Sequence, residues 1–182
     1  MQFRKFWAVL VVAALLMSVL GGCAVGSQIA WPDRELAIDL DTALMAQDTG
    51  MAALMMGKVD WTESEFSSFL TYLLRQNTGE MFPVDTIQTW FEPDNKVYIR
   101  INLKDGVMLG GNSIDLVGAV SVQDNHLSIA LDEAGANGVS AGGLLLQPIS
   151  DQINAVLAGP QFGVAVDVTT DTGMLSVGLA GM

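Results

Sequence analysis

One cysteine, Cys23, and one histidine, His126, are all that the 182 residues contain of the two side chains that do most nucleophilic and metal chemistry. A single cysteine excludes an intramolecular disulfide, and the two counts together exclude a thiolate or multi-histidine zinc site. Ser-His-Asp or Cys-His catalysis would have to run through His126 alone. That residue adjoins Leu127, Ile129 and Leu131, which alternate as along a strand, so its side chain is expected on the opposite, solvated face with no catalytic or metal role. We therefore expect neither an enzyme nor a cofactor. Positive charge is scarce as well, with 8 basic residues against 20 acidic ones and a net charge of −12. Because Arg4 and Lys5 precede Cys23, the 160 residues from Cys23 onward (182 minus 22) keep 6 basic and all 20 acidic residues, a net charge of −14. Such a surface repels phosphate backbones and anionic headgroups, which argues against nucleic acid as a partner and against electrostatic docking on membranes.

The start of the chain divides by charge and hydrophobicity as an export signal does. Arg4 and Lys5 give a positive start, residues 6–20 an apolar run, and Gly21 and Gly22 a small-residue end. No charge appears between Lys5 and Asp33, so an uncleaved membrane helix is the competing reading of the same residues. Both readings place everything after Cys23 outside the cytoplasm. The stretch Leu20-Gly21-Gly22-Cys23 resembles the lipobox of bacterial lipoproteins, in which the cysteine is acylated and becomes the first residue of the mature chain. That resemblance implies a signal peptide over residues 1–22, lipid attachment at Cys23 and a membrane partner reached through the lipid. Several acyl chains would be needed, since one gives only marginal anchoring. Residues 23–35, with Gly26, Ser27 and Pro32 and no sustained period, then read as a lipidated tether, and residues 36–182 as a single domain. Trp31 is expected to pack on its own domain rather than to serve as an interfacial anchor.

Periodicity within the domain predicts an α+β fold. A helix over residues 41–57, bent or broken at Gly50, precedes a second one over residues 61–79. The start of the second is written in side-chain chemistry: Thr62 and Glu65 form a capping box, and Trp61 can staple onto Phe66. Phe66, Phe69, Leu70 and Leu73 make its buried stripe, with Ser68 off that stripe and tolerant of change. Strands follow over residues 86–91, 97–103, 114–122 and 127–131, the last two joined by a tight turn at Asp124-Asn125. A helix over residues 144–157 and two final strands, residues 164–168 and 174–179, complete the chain. Strands this close in sequence must pair antiparallel. The expected architecture is a curved antiparallel sheet packed on one long N-terminal helix and a second C-terminal helix.

Few segments look like sites. The Gly-rich residues 134–143 lack both the G-x-G-x-x-G spacing and a Gly-Lys-Ser/Thr ending, and read as a flexible connection. Asp39 with Asp41, and Asp132 with Glu133, do not follow the twelve-residue calcium loop and read as solvated surface. Lys96, Arg100 and Lys104 share the outer face of one strand, where pairing with carboxylates is expected. Val107, Met108 and Leu109 put an apolar tip where a polar loop is usual, which fits the lip of a ligand cavity, a membrane-touching edge, or a short strand or inward-folded loop.

The passages WTESEFSSFLTYLLRQ, VDTIQTWFEPDNKVYIRINL and LLLQPISDQINAVLAG, in that order, resemble in pattern the exported bacterial proteins of the YpmS and mycobacterial LmeA type, related in style to the tubular lipid-binding superfamily. No binding residue transfers from them. The resemblance implies a curved sheet wrapped around a long helix, enclosing an apolar groove for lipid. In this chain Phe69 and Leu73 would form one wall of that groove, Val97, Ile99 and Ile101 the other, and Met108 its lip. The same apolar rows would equally fill an ordinary core, so the alternative is a non-catalytic envelope scaffold or protein-interaction module.

Overall fold

The computed structural model describes residues 31–78, 83–105, 112–135, 143–162 and 164–179. The class is α+β, with three helices and seven strands in two antiparallel sheets among the described residues. Helix α1 (Leu40–Met56) leads into strand β1 (Lys58–Thr62) and helix α2 (Glu63–Thr78). Strands β2 (Val84–Glu92), β3 (Lys96–Leu103), β4 (Ser113–Gln123) and β5 (His126–Gly135) form a four-stranded meander in sequence order. Helix α3 (Gly143–Leu157) and a 3-10 turn (Pro160–Phe162) lead to β6 (Ala165–Asp171) and β7 (Met174–Leu179). These last strands join β1 in a second sheet of order β1-β7-β6. The single expected sheet is thus two, because β7 pairs with β1 and β6 and not with the meander, and β1 at five residues is too short for its alternation to mark a strand.

Local chemistry explains the elements. Asp39 caps α1 by accepting the Thr42 N–H at 2.7 Å, and Gly57 ends it in the left-handed region at φ 76°, donating to Ala53 O. The helix runs unbroken through Gly50. A Cβ there would lie 3.0 Å from the Trp61 ring, so the glycine gives Trp61 a seat instead of interrupting the helix. Trp61 also donates its indole N–H to Ala46 O at 3.1 Å. At the start of α2 the capping box forms as expected: Glu65 Oε2 accepts the Thr62 N–H at 2.8 Å, and Thr62 Oγ1 accepts the Glu65 N–H at 3.3 Å. The staple is present too, with the Trp61 and Phe66 rings 6.1 Å apart. Between β4 and β5 the two-residue turn Asp124-Asn125 takes φ of 50° and 64°, the left-handed pair that such a hairpin needs.

The core brings both sheets onto α2. Phe66 lies 5.3 Å from Phe91, and Phe162 lies 5.8 Å from Trp61 and 5.4 Å from Phe69. Turn groups link the sheets at one end: Asn95 Oδ1 accepts from Thr170 N, Asn125 O from Ala165 N, and Phe91 O from Gly173 N. In β4 a register shift between Val117 and Gly118 lets Gly118 settle on β5, where a Cβ would come 2.3 Å from Ala130 O.

The outer strands of the meander would leave every second peptide group unpaired, and helix side chains occupy those groups. Along β2, Glu63 Oε1 accepts the Phe91 N–H at 2.8 Å and Ser67 Oγ the Thr89 N–H at 2.8 Å. Thr71 Oγ1 accepts the Ile87 N–H at 2.9 Å and donates to Ile87 O at 3.2 Å, while Arg75 donates twice to Asp85 O. The match is geometric: four helix residues rise about 6 Å and two strand residues about 6.7 Å, so an i, i+4 row keeps step with an i, i+2 row. The helical row turns away by about 40° per step. Short Ser67 and Thr71 accordingly serve the middle, and long Glu63 and Arg75 reach back from the ends. Across the sheet, β5 receives one such residue, Asn154 of α3, whose amide accepts the Ile129 N–H at 2.8 Å and donates to Ile129 O at 3.0 Å.

Candidate functional site

Five of the residues expected to line a groove come together, as part of a packed core. Phe69, Leu73, Val97, Ile99 and Ile101 belong to one continuous hydrophobic cluster. Val97, Ile99 and Ile101 are 0% exposed, Phe69 1% and Leu73 7%. A cavity wide enough for an acyl chain would leave its walls open to a water-sized molecule, whereas protein atoms cover these side chains. Met108, with Val107 and Leu109, and Cys23 lie outside the described residues.

Two concavities with described linings are small. One of about 80 Å³ lies between residues 38–40 and α2, bordered by Asp39, Ser68, Tyr72 and Arg75; another of about 10 Å³ is bordered by Thr78, Asp85 and Lys104. Both fall well short of the roughly 300 to 1,000 Å³ of ordinary small-molecule sites.

Residues 31–39 hold the most elaborate polar and aromatic arrangement. Residues 31–35, read from the sequence as the end of a tether, are instead strapped across the edge of β2. Trp31 meets Trp90 edge-on at 5.7 Å and Tyr98 at 5.5 Å, on the outer face of β2 and β3. The Arg100 guanidinium sits 4.9 Å above the Trp31 ring, held by two hydrogen bonds to Asp115 of 2.7 and 2.9 Å, and Lys96 Nζ lies 4.6 Å from the Tyr98 ring centre. The carboxylate raises the Arg100 pKa above its usual value by accepting those bonds. Trp31 thus packs on its own domain, and Arg100 finds the carboxylate expected of it. Lys104 departs from the expected row: it follows the end of β3 and lies beside α2.

Further along, Trp90 Nε1 donates to Arg34 O at 2.9 Å. Arg34 grips the buried Glu63 through Nε at 3.1 Å and Nη2 at 2.6 Å, and reaches Glu92 at 2.9 Å and Phe91 O at 3.1 Å. Bonding to Glu63 raises the Arg34 pKa further. Ser68, placed by the helical pattern off the stripe, is 2% exposed beneath the strap, donating to Ala37 O at 3.2 Å and accepting from Asp39 N at 3.3 Å. Its burial was not legible because the strap, not the stripe, covers it.

The remaining candidates are quickly placed. Asp39 spends its carboxylate on the α1 cap, which lowers its pKa. His126 is half-buried and so only partly solvated, and its Nδ1 is shielded without a hydrogen-bond partner among the described residues. Residues 136–142 of the Gly-rich connection lie outside the described residues. Of the six large apolar side chains exposed among the described residues, Leu40, Leu44, Met45 and Met56 belong to α1. Compared with protein-family models, curated proteins and solved structures, the chain matches none.

Proposed function

We propose that this protein is a lipid-anchored, extracytoplasmic module of the cell envelope, held to the membrane through Cys23 and acting by protein contact without carrying a lipid in its interior. The observation that supports a filled interior is the burial of Val97, Ile99, Ile101 and Phe69 at 0 to 1% exposure within one cluster. The anchor rests on the charge, apolar run and Leu20-Gly21-Gly22-Cys23 of the first residues.

Two measurements test the reading. A fluorescent fatty acid titrated into the folded domain should show no saturable binding, and Ile99→Trp, forced into filled space, should destabilise it by about 1 to 3 kcal/mol. Saturable binding by the wild type, weakened by Ile99→Trp with little loss of stability, would restore the lipid-carrier reading. For the anchor, Cys23→Ala should abolish labelling by a fatty-acid analogue and leave an unprocessed precursor; unchanged labelling and processing would overturn it.

A further inference from the structure

We infer that the outer edge of β1 is an interface at which a second copy of this chain pairs, strand to strand, in one register. The inference rests on the proposed action by protein contact and names the partner; it needs neither the anchor nor Cys23.

Which groups of β1 face outward follows from its hydrogen bonds. The Glu63 N–H runs to Gly173 O, on the side of β7, and the Thr62 N–H runs the other way, to the Glu65 carboxylate. Peptide groups alternate along a strand, so Trp61 and Val59 bond to Leu175 and Val177 of β7 while Asp60 and Lys58 turn theirs away from the sheet. Among the described residues nothing accepts the Asp60 N–H or donates to its C=O. Helix α1 does not close this edge. It meets β1 from the inner face, with the Trp61 ring against Gly50 and the indole N–H on Ala46 O, and side chains stand across a sheet, not along its edge.

A lysine on an edge strand usually keeps other strands off. Here Asp60 follows two residues later on the same face, and the two side chains, 61% and 45% exposed, lie 2.9 Å apart. Copies related by a two-fold axis can match outward peptide groups only with outward ones, which leaves few registers. Centring on Lys58 sets lysine against lysine, centring on Asp60 sets aspartate against aspartate, and centring on Trp61 calls on the Thr62 N–H that Glu65 already holds. Centring on Val59 sets Lys58 of each copy against Asp60 of the other, with their peptide groups in hydrogen-bonding register. Exposed charges attract weakly, so the peptide bonds hold the pair and the charges choose its alignment. The same register brings Met56, the 77% exposed last residue of α1, beside Thr62 of the second copy.

The test follows the mass of the full chain in detergent by sedimentation equilibrium, from micromolar to submillimolar concentration. A dimer is expected. Lys58→Asp and Asp60→Lys should each raise its dissociation constant about tenfold or more, because both charge contacts become repulsive. An equimolar mixture of the two variants should regain most of the affinity, since each then meets the opposite charge. In the wild type the Asp60 amide should exchange more slowly as concentration rises, while the Glu63 amide, bonded to Gly173 within one copy, keeps its rate. A folded wild type that stays monomeric throughout overturns the inference and leaves the filled interior and the anchor standing. A dimer that both variants retain, or an Asp60 amide indifferent to concentration, places the contact elsewhere and overturns it too.

Discussion

The two outer strands of the four-stranded sheet meet the same physical problem and are treated differently. On β2, four side chains of α2 spaced four apart bond to four alternate residues of the strand, and two of the four, Ser67 and Thr71, are short hydroxyls fully enclosed at 0 and 4% exposure. On β5, a single Asn154 presents its carboxamide to Ile129 as a neighbouring strand would present a peptide group. A row of bonds spreads the satisfaction of the edge over two helical turns and more, so loss of one member leaves the rest in place. A single amide concentrates it, and its loss opens the only such link made to that strand by α3 among the described residues. The difference teaches that helix-to-edge pairing can be graded by how many positions of an i, i+4 row are given to polar side chains.

The largest expected effect comes from the charged end of the row. Glu63→Ala removes the acceptor of both Arg34 and the Phe91 N–H, and should cost about 2 to 4 kcal/mol in urea unfolding, somewhat below a fully buried pair because Arg34 remains partly solvated and keeps Glu92. An effect under about 0.5 kcal/mol, the size of a surface pair, would show that the strap and β2 hold without it. Next is Asn154→Leu, which leaves both peptide groups of Ile129 without a partner; about 1 to 3 kcal/mol is expected, with faster amide exchange at Ile129. Thr71→Val, which keeps shape and loses the hydroxyl, should cost about 1 to 2 kcal/mol and speed exchange at Ile87 while Thr89 and Phe91 stay protected. If exchange at all three rises together, the row acts as one unit and the contrast with Asn154 fails.

The smallest effect is a control from α1, which pairs with no edge of this sheet. The Thr42 N–H holds the Asp39 carboxyl below the ordinary aspartate range. Its folded pKa is depressed, so its stabilisation is complete above about pH 4, the unfolded value, and is lost as pH falls through the folded one. Protection of the first α1 amides should decline below pH 4 in the wild type and be flat with pH in Asp39→Asn, while Ile87 and Ile129, held by uncharged groups, should not follow that change.

Much of this was legible because it is local. The Thr62–Glu65 box, the Trp61–Phe66 staple, the Asp124-Asn125 turn and the alternation in β3 to β5 are each set by residues within a few positions of one another. What escaped depends on partners far along the chain. Strand β1 exists because β7, more than a hundred residues later, pairs with it. The turn at Asp94 and Asn95, with φ of 65° and 59°, was hidden behind Pro93. The polar row had a signal that went unused: Glu63, Ser67, Thr71 and Arg75 stand four apart, beside the apolar stripe of the clearest helix in the sequence. Ser and Thr at such positions are costly in a helix unless something long and straight needs their hydroxyls. Of the expected site, Phe69, Leu73, Val97, Ile99 and Ile101 share one cluster, but whether facing rows enclose space or fill it depends on fractions of an ångström that alternation does not encode.

Gly118 carries a last consequence, which concerns errors of assembly. Because a Cβ at that point would lie 2.3 Å from the Ala130 carbonyl, only glycine can occupy the seat. Sliding β4 past β5 by one residue would bring Val117 or Ala119 onto the same oxygen, and both carry the atom that does not fit. The hairpin therefore has one pairing that closes and neighbouring ones that jam. The buried row of Ile114, Leu116 and Val120 and the two-residue Asp124-Asn125 turn already disfavour such a slip, and Gly118 adds a steric bar to it.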